Sequence, residues 1–297
     1  MRCHSPKLDV LGSHFELWLK MELWQYGNSF KTRAALLAME SLTPEQKMKG
    51  VIAMSAGNHA IAVTYAAKKY GVSAKVLMPK AASSVRVDQC KILGAEVLLM
   101  ENMQELFSKI NDIQKAEDRV LVHPFEGERV ALGTGTLGLE IHQQLGKLDA
   151  LMVGIGGGGL IAGVANACKQ LQPDIQVIGV EPEGSAVMSA SFKEGKPAVL
   201  EKNNTIADSL SPPKAEAYSY SLCRKFIDKI VVISDEEIKK AMRFLFYEMK
   251  LAVEPAAAVS IAALMGPLRE QLSGKRVAII LSGTNIDTRS YCNLINN

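Results

Sequence analysis

The sequence has no excess of either charge, no paired-cysteine spacing and no apolar leader, and each absence removes a class of function. Lysine and arginine number 34 against 31 acidic residues, leaving +3 over 297 residues. So mild a field gives neither a polyanion nor an acidic lipid surface much to bind, and no nucleic acid and no membrane is expected as a partner. Five cysteines, Cys3, Cys90, Cys168, Cys223 and Cys292, are scattered without a C-x-x-C pair. An odd, dispersed set reads as the reduced thiols of a cytoplasmic protein. The opening "MRCHSPKLDVLG" holds no apolar h-region, so a secretion signal is not expected. Absent too are H-E-x-x-H or clustered Cys/His spacing for a metal, G-x-S-x-G for a serine hydrolase, and G-x-x-x-x-G-K-[ST] for a nucleoside triphosphate.

One stretch imitates a membrane span: "ALMVGIGGGGLIAGVANAC", Ala150 to Cys168. Its length is right, but four consecutive glycines make poor helix, and Lys147 and Asp149 press against one side. A buried strand, a glycine loop and a buried helix account for it.

What the chain does have is alternation. "GVIAM", "AKVLMP", "AEVLLM", "RVLVHP", "ALMVGI", "IQVIGVEP", "KIVVIS" and "RVAIILSG" are short, continuous apolar runs, the pattern of parallel strands covered on both faces. Between them, "AIAVTYAAKKYG", "SVRVDQCKILG", "QELFSKINDIQKAE" and "TLGLEIHQQLG" read as helices, several closing on a C-cap glycine. The class is α/β, with open, mostly parallel twisted sheets and helices on both faces. The longest irregular stretch, "KPAVLEKNNTIADSLSPPKAEAYS", reads as a surface excursion.

Ligands of such folds bind beyond the carboxyl ends of strands. "GVIAM" is followed by Ser55, Ala56, Gly57, Asn58, His59 and Ala60, where a helix start exposes amides to a carboxylate or phosphate. "ALMVGI" is followed by Gly156, Gly157, Gly158 and Gly159 and then a helix, so successive N–H groups can turn toward one anion. The last long strand runs into Ser282. Near the N-terminus, Lys31 follows Phe30 where an amphipathic helix begins. Each has an ordinary alternative: a capped turn, glycines needed only for close packing, a turn serine, a solvated lysine beside a helix. His123 before Pro124, and His4, His14 and His142, read as structural or surface residues. A G-x-G-x-x-G match within the glycine run lacks its acidic partner at the end of a second strand, which counts against a nicotinamide-binding reading.

Seven pieces in order resemble the fold-type II (tryptophan synthase β-like) pyridoxal-phosphate enzymes, in the threonine/serine dehydratase and serine racemase branch. They are S-F-K at 29–31, S-A-G-N-H at 55–59, G-G-G-G-L at 156–160, E-P at 181–182, A-D at 207–208, E-P at 254–255 and S-G-x-N at 282–285. The resemblance implies pyridoxal 5'-phosphate as cofactor, with Lys31 as the Schiff-base lysine and catalytic base. Phe30, Asn58, Gly156 to Gly159 and Ser282 would line the cofactor, the glycines holding its phosphate, Asn58 its ring hydroxyl and Ser282 its pyridine nitrogen. Ser55, Ala56, Gly57, Asn58 and His59 would receive the substrate carboxylate. A serine hydroxyl donates to the ring nitrogen without protonating it, which favours prompt loss of a β-hydroxyl over transamination. The implied reaction is β-elimination from L-threonine or L-serine, giving a 2-oxo acid and ammonia.

Departures shape the expectation. Ala56 stands where racemases of this branch carry a second serine, so racemisation ranks behind dehydration. "GNSFK", "RAA" and "SGTN" replace the usual T-G-S-F-K, R-G-A and S-G-G-N, which leaves room for a bulkier or acidic substrate such as 3-hydroxyaspartate. Of a divalent-cation site seen in some relatives only Glu181 matches, with Ser185 and Val187 at the following positions, so support for a divalent or monovalent cation is thin. The same departures motivate a reading of another class, an inactive binding or regulatory relative. The chain begins later than relatives do, and it ends too soon after Ser282 for a regulatory domain, so isoleucine feedback is not expected. The domains expected are a large one, 1–48 with 127–297, and a small mobile one, 49–126, in a homodimer.

Overall fold

The structure is a computed structural model and describes residues 15–296. The opening segment on which the late start and the cysteine and histidines at positions 3, 4 and 14 were read lies outside the described residues. Nine strands build two sheets: β1 Glu16–Met21, β2 Val51–Met54, β3 Ala74–Pro79, β4 Glu96–Met100, β5 Val120–Leu121, β6 Ala150–Gly154, β7 Gln176–Pro182, β8 Lys229–Ile233 and β9 Arg276–Leu281. Five form one sheet in the order β1-β9-β6-β7-β8, and four form the other in the order β4-β3-β2-β5. Every pairing between these strands is parallel.

The continuous apolar runs have the cause that their pattern suggests. Along β6, Ala150 and Met152 enter one core while Leu151 and Val153 enter another. Along β9, Val277, Ile279 and Leu281 take the first side and Ala278 and Ile280 the second. With period-two side chains and helices on both faces, no residue of such a strand can be polar without burying it. Helix Pro255–Met265 fills one side and is buried around its whole circumference until its last residue. Helix Gly159–Leu171 fills the other. The stretch that imitates a membrane span is therefore strand, loop and buried helix. Among the described residues no helix is long and apolar enough to cross a membrane.

Two differences from the sequence pattern bear on the site. β1 is not among the eight expected strands. It lies at the sheet edge beside β9, burying Leu17 and Leu19 while Glu16, Trp18 and Lys20 stay partly exposed. The irregular excursion also turns inward rather than only crossing the surface: Ala207 and Leu210 are buried, and a single bridge, Val199 to Lys214, pins its base. The carboxyl ends of β1, β2, β6 and β9 all lead to segments that line one cleft.

Candidate active site

Lys31 is the first residue of helix Lys31–Glu40. The turn before it passes through two left-handed residues, Gly27 at φ 75° and Asn28 at φ 58°. That bend lets the turn lie along the segment after β9. Phe30 N–H donates to the Ser282 carbonyl at 3.0 Å, Thr284 N–H donates to the Asn28 carbonyl at 3.1 Å, and Ser29 bridges to Gly283. The helix is held from its other side by Arg33, whose guanidinium grips Glu22 at 2.7 and 2.8 Å and Glu140 at 2.6 Å.

The Lys31 ammonium donates to the Pro124 carbonyl at 2.5 Å and stands 5.0 Å from the Phe30 ring centre. Burial pulls its pKa from 10.5 to about 8, against the opposing pull of the Glu254 carboxylate. An amine of this kind is neutral in a useful fraction near physiological pH, as a nucleophile or base must be.

Lys31 borders a cavity of about 270 Å³ whose wall includes Phe30, Ser55, Ala56, Gly57, Asn58, His59, Gly156 to Gly159, Glu254 and Ser282. The structure thus gathers every residue marked for cofactor or substrate except Glu181. Asn58 opens helix Asn58–Tyr70, and its amide is locked in place. It donates to Glu254 Oε1 at 2.7 Å and accepts from Asn285 Nδ2 at 2.7 Å. Ser55 Oγ accepts from the Gly57 N–H at 3.0 Å, bending the loop toward the helix start.

The tetraglycine loop is cramped on its packed side. A Cβ on Gly157 would come within 2.3 Å of the Phe125 ring, and one on Gly159 within 2.5 Å of the Phe125 carbonyl oxygen. A Cβ on Gly158, whose φ is +89°, would meet Met188 Cε at 2.8 Å. Close packing and an open run of amides at a helix N-terminus are both present, so the two readings of these glycines are not rivals.

His59 is uncharged. Burial pushes its pKa down to about 3, and Nε2–H donates to the Val122 carbonyl at 2.8 Å. His123 Nδ1 accepts the amides of Phe125 and Glu126 at 3.3 and 2.9 Å, a turn-holding role. Glu181 does not line the cavity. Its carboxylate caps helix Val187–Glu194, taking Met188 N–H at 2.7 Å and the Ser189 N–H and hydroxyl at 2.8 and 2.6 Å. Among the described residues no group of three His, Cys, Asp or Glu side chains is placed to share a metal.

Three charged residues of the cavity wall carry no role in the sequence reading. Glu254 precedes the proline that opens helix Pro255–Met265. Burial, with the Asp208 charge adding to it, raises its pKa to about 7. Arg86, from the unit built on the smaller sheet, donates to Asp208 at 2.8 Å and to the Asn285 carbonyl at 2.9 Å. Asp208 and Glu254 sat inside motifs of the resemblance; Arg86 gave no signal, because only the fold brings it across.

Two buried side-chain atoms at this place have no protein partner, Ser29 Oγ and Glu254 Oε2. The amides of the glycine cradle at a helix N-terminus fit an anionic group, and the desolvated Lys31 amine beside them fits a group that condenses with an amine. Fold and site together define an enzyme that works through pyridoxal phosphate. The chain belongs to the pyridoxal-phosphate dependent enzyme family, whose profile matches residues 3–283.

Its relatives narrow the class. It is 50% identical to a phenylserine dehydratase of Ralstonia pickettii over 272 residues, 92% of this chain and 83% of that one. It is 39% identical to an L-threonine ammonia-lyase of Thermotoga maritima, over 95% of this chain and 70% of that one. A processed threonine deaminase isoform from Solanum lycopersicum superposes with a TM-score of 0.94 at 32% identity, covering 100% of this chain and 87% of that one. The chain is a fold-type II ammonia-lyase of the threonine/serine dehydratase and serine racemase branch, whose enzymes act on amino acids.

Proposed function

We propose that the chain removes water and then ammonia from β-hydroxy α-amino acids, L-threonine and L-serine among them, together with the phenylserine on which its relative acts by name. The observation that carries this is Lys31, an amine of lowered pKa set between a glycine loop and the start of helix Asn58–Tyr70. Bound in the cavity, pyridoxal phosphate supplies the electron sink that makes the substrate α-proton acidic.

The residues divide the remaining work. The amides of Gly156 to Gly159 would hold the phosphate. Phe30 would pack beside the ring, Asn58 would turn toward the ring hydroxyl the amide hydrogen that now reaches Ser209 Oγ at 3.5 Å, and Ser282 would donate to the ring nitrogen without protonating it. The loop from Ser55 to Asn58 takes the substrate carboxylate, which fixes the α-carbon before Lys31. Lys31, neutral above its lowered pKa, removes the α-proton. His59, already bonded to Val122, holds that loop against the smaller sheet rather than moving a proton. Ala56 carries no hydroxyl, so it has no proton to return to the opposite face, which favours elimination over racemisation.

The same reading has residues 49–126 moving as a small domain over the cleft against 1–48 and 127–297, in a cytoplasmic homodimer. Trp24 and Tyr26, 65% and 68% exposed, and Leu132 and Leu139 on helix Glu128–Leu145 are large apolar side chains left in water that a second copy would cover. The deciding experiment is the visible spectrum of the protein loaded with pyridoxal phosphate, before and after L-threonine, with assay of 2-oxobutyrate and ammonia. A band that bleaches as both products appear, and that Lys31→Ala lacks, is the expected result. A band without either product would overturn the assignment of reaction.

A further inference from the structure

We propose that a second cavity, which shares Lys31 with the first but none of the glycine loop, seats the aromatic ring of a β-aryl-β-hydroxy amino acid. This rests on the reaction proposed above and assigns the place where a bulky side chain goes. The cavity measures about 300 Å³ and shares Phe30, Lys31, His59 and Pro124 with the first. Its own walls are Ala34, Ala35 and Ala38 on one side of helix Lys31–Glu40, with Leu42, Val122 and Val130 facing them.

Connectivity requires such a place. In phenylserine the ring is attached to the β-carbon, one bond from the carbon whose proton Lys31 must reach. With the cofactor on the glycine loop and the substrate carboxylate on the Ser55–Asn58 loop, the ring needs further open volume that adjoins Lys31. The second cavity adjoins it. Its size is also sufficient: an apolar cavity of about 150 Å³ is enough to hold benzene.

The polar groups on its rim are already engaged. His59 and His123 spend a ring nitrogen each on backbone partners, and burial lowers the pKa of both, that of His59 to about 3. Glu126 turns its carboxylate to the amides of Tyr218 and Ser219, at 2.6 and 3.0 Å. The exposed Glu128 and Arg129 stand at the outer rim. What faces inward is a row of methyl groups, and a ring placed there displaces water from apolar surface. Alanine at positions 34, 35 and 38 is what leaves the space; one larger side chain closes it.

The test uses the holoenzyme and two amino acids that lack a β-hydroxyl and so bind without eliminating, L-phenylalanine and L-alanine. Calorimetry gives their dissociation constants for the native chain, Ala38→Val and Ala38→Leu, with circular dichroism checking that each variant folds. The native chain binds L-phenylalanine more tightly than L-alanine. Ala38→Leu weakens L-phenylalanine by about tenfold or more, Ala38→Val by less, and L-alanine stays within about twofold in both. Equal loss for the two ligands, no loss for L-phenylalanine, or no native preference for it overturns the assignment. If Ala38→Leu does not fold, Ala38→Val alone decides by the same comparison. A native enzyme that deaminates L-threonine yet fails this test leaves the reaction standing and removes only the ring site. A native enzyme that yields no 2-oxo acid from L-threonine removes the reaction first.

Discussion

Asn58 donates to Glu254 across 2.7 Å, and through that bond the start of a helix on the smaller sheet is tied to the N-cap of a helix on the larger one. The pair sits beside Lys31, and the Glu254 charge is what partly restores the lysine's hold on its proton.

Neutralising Glu254 therefore has a defined direction. In the native chain, the rate at which added pyridoxal phosphate produces its visible band rises with pH through about 8, the value to which Lys31 is lowered. In Glu254→Gln, Asn58 can still donate to the side-chain oxygen, but the charge that raises the lysine is gone. The midpoint moves below that of the native chain. A midpoint that stays or climbs, read by stopped-flow absorbance across a pH series, would contradict the coupling.

Lys31 is also a cost to the fold. Its folded pKa of about 8 lies below the ordinary value of 10.5, so the folded chain sheds the proton before the unfolded chain does. Folding stability from this group is lowest below pH 8 and grows as pH rises toward 10.5. Lys31→Met removes the buried charge while keeping the apolar stem. We expect the cofactor-free variant to melt at a higher temperature than the cofactor-free native chain. That gap should shrink on going to alkaline pH, and the variant should form no visible band. Calorimetric melting at two pH values checks it.

The glycine loop separates backbone strain from cavity chemistry. Gly158→Ala and Gly146→Ala both force a side chain onto a positive φ, +89° and +64°. Each costs about 1–2 kcal/mol of stability for that reason alone. Only at Gly158 does the new methyl also meet neighbours, Met188 and Cys223, whereas at Gly146 nothing lies within 4 Å. Pyridoxal-phosphate affinity, titrated by fluorescence, should fall in Gly158→Ala and hold in Gly146→Ala.

Arg86 tests the join between the two sheets. Its guanidinium reaches Asp208 and the Asn285 carbonyl at once, a fork that lysine cannot reproduce. Arg86→Lys is expected to lose about 1 kcal/mol of stability. It should also raise KM for L-threonine more than it lowers kcat, because the loop from Ser55 to Asn58 loses its backing. Steady-state kinetics and urea unfolding measure the two effects.

Much of this was legible in the chain itself. Continuous apolar runs named eight strands because burial on both faces forces them to be apolar. β1 escaped because an edge strand hides one row: Leu17 and Leu19 go inward while Glu16 and Lys20 alternate with them. Helix Glu128–Leu145 begins eight residues before the "TLGLEI" pattern that announces it, since Gly133 and Gly135 blur its start. Lys31, Asn58 and the glycines were marked by their neighbours in sequence. Arg86 could not be, since its partners Asp208 and Asn285 lie 122 and 199 positions away.

β1 and β9 lie side by side, and Ser29 meets Gly283. The wall behind Lys31 is thus stitched from near the two ends of the described chain. During synthesis the lysine emerges early and waits for more than two hundred residues before Ser282 and Gly283 can close on it. A nascent chain released before β9 would leave Lys31 without the wall of Ser282 and Gly283, and an amine not yet buried keeps its ordinary pKa near 10.5. Lowering of the Lys31 pKa is therefore a late event of synthesis, tied to the arrival of the strand that pairs with β1.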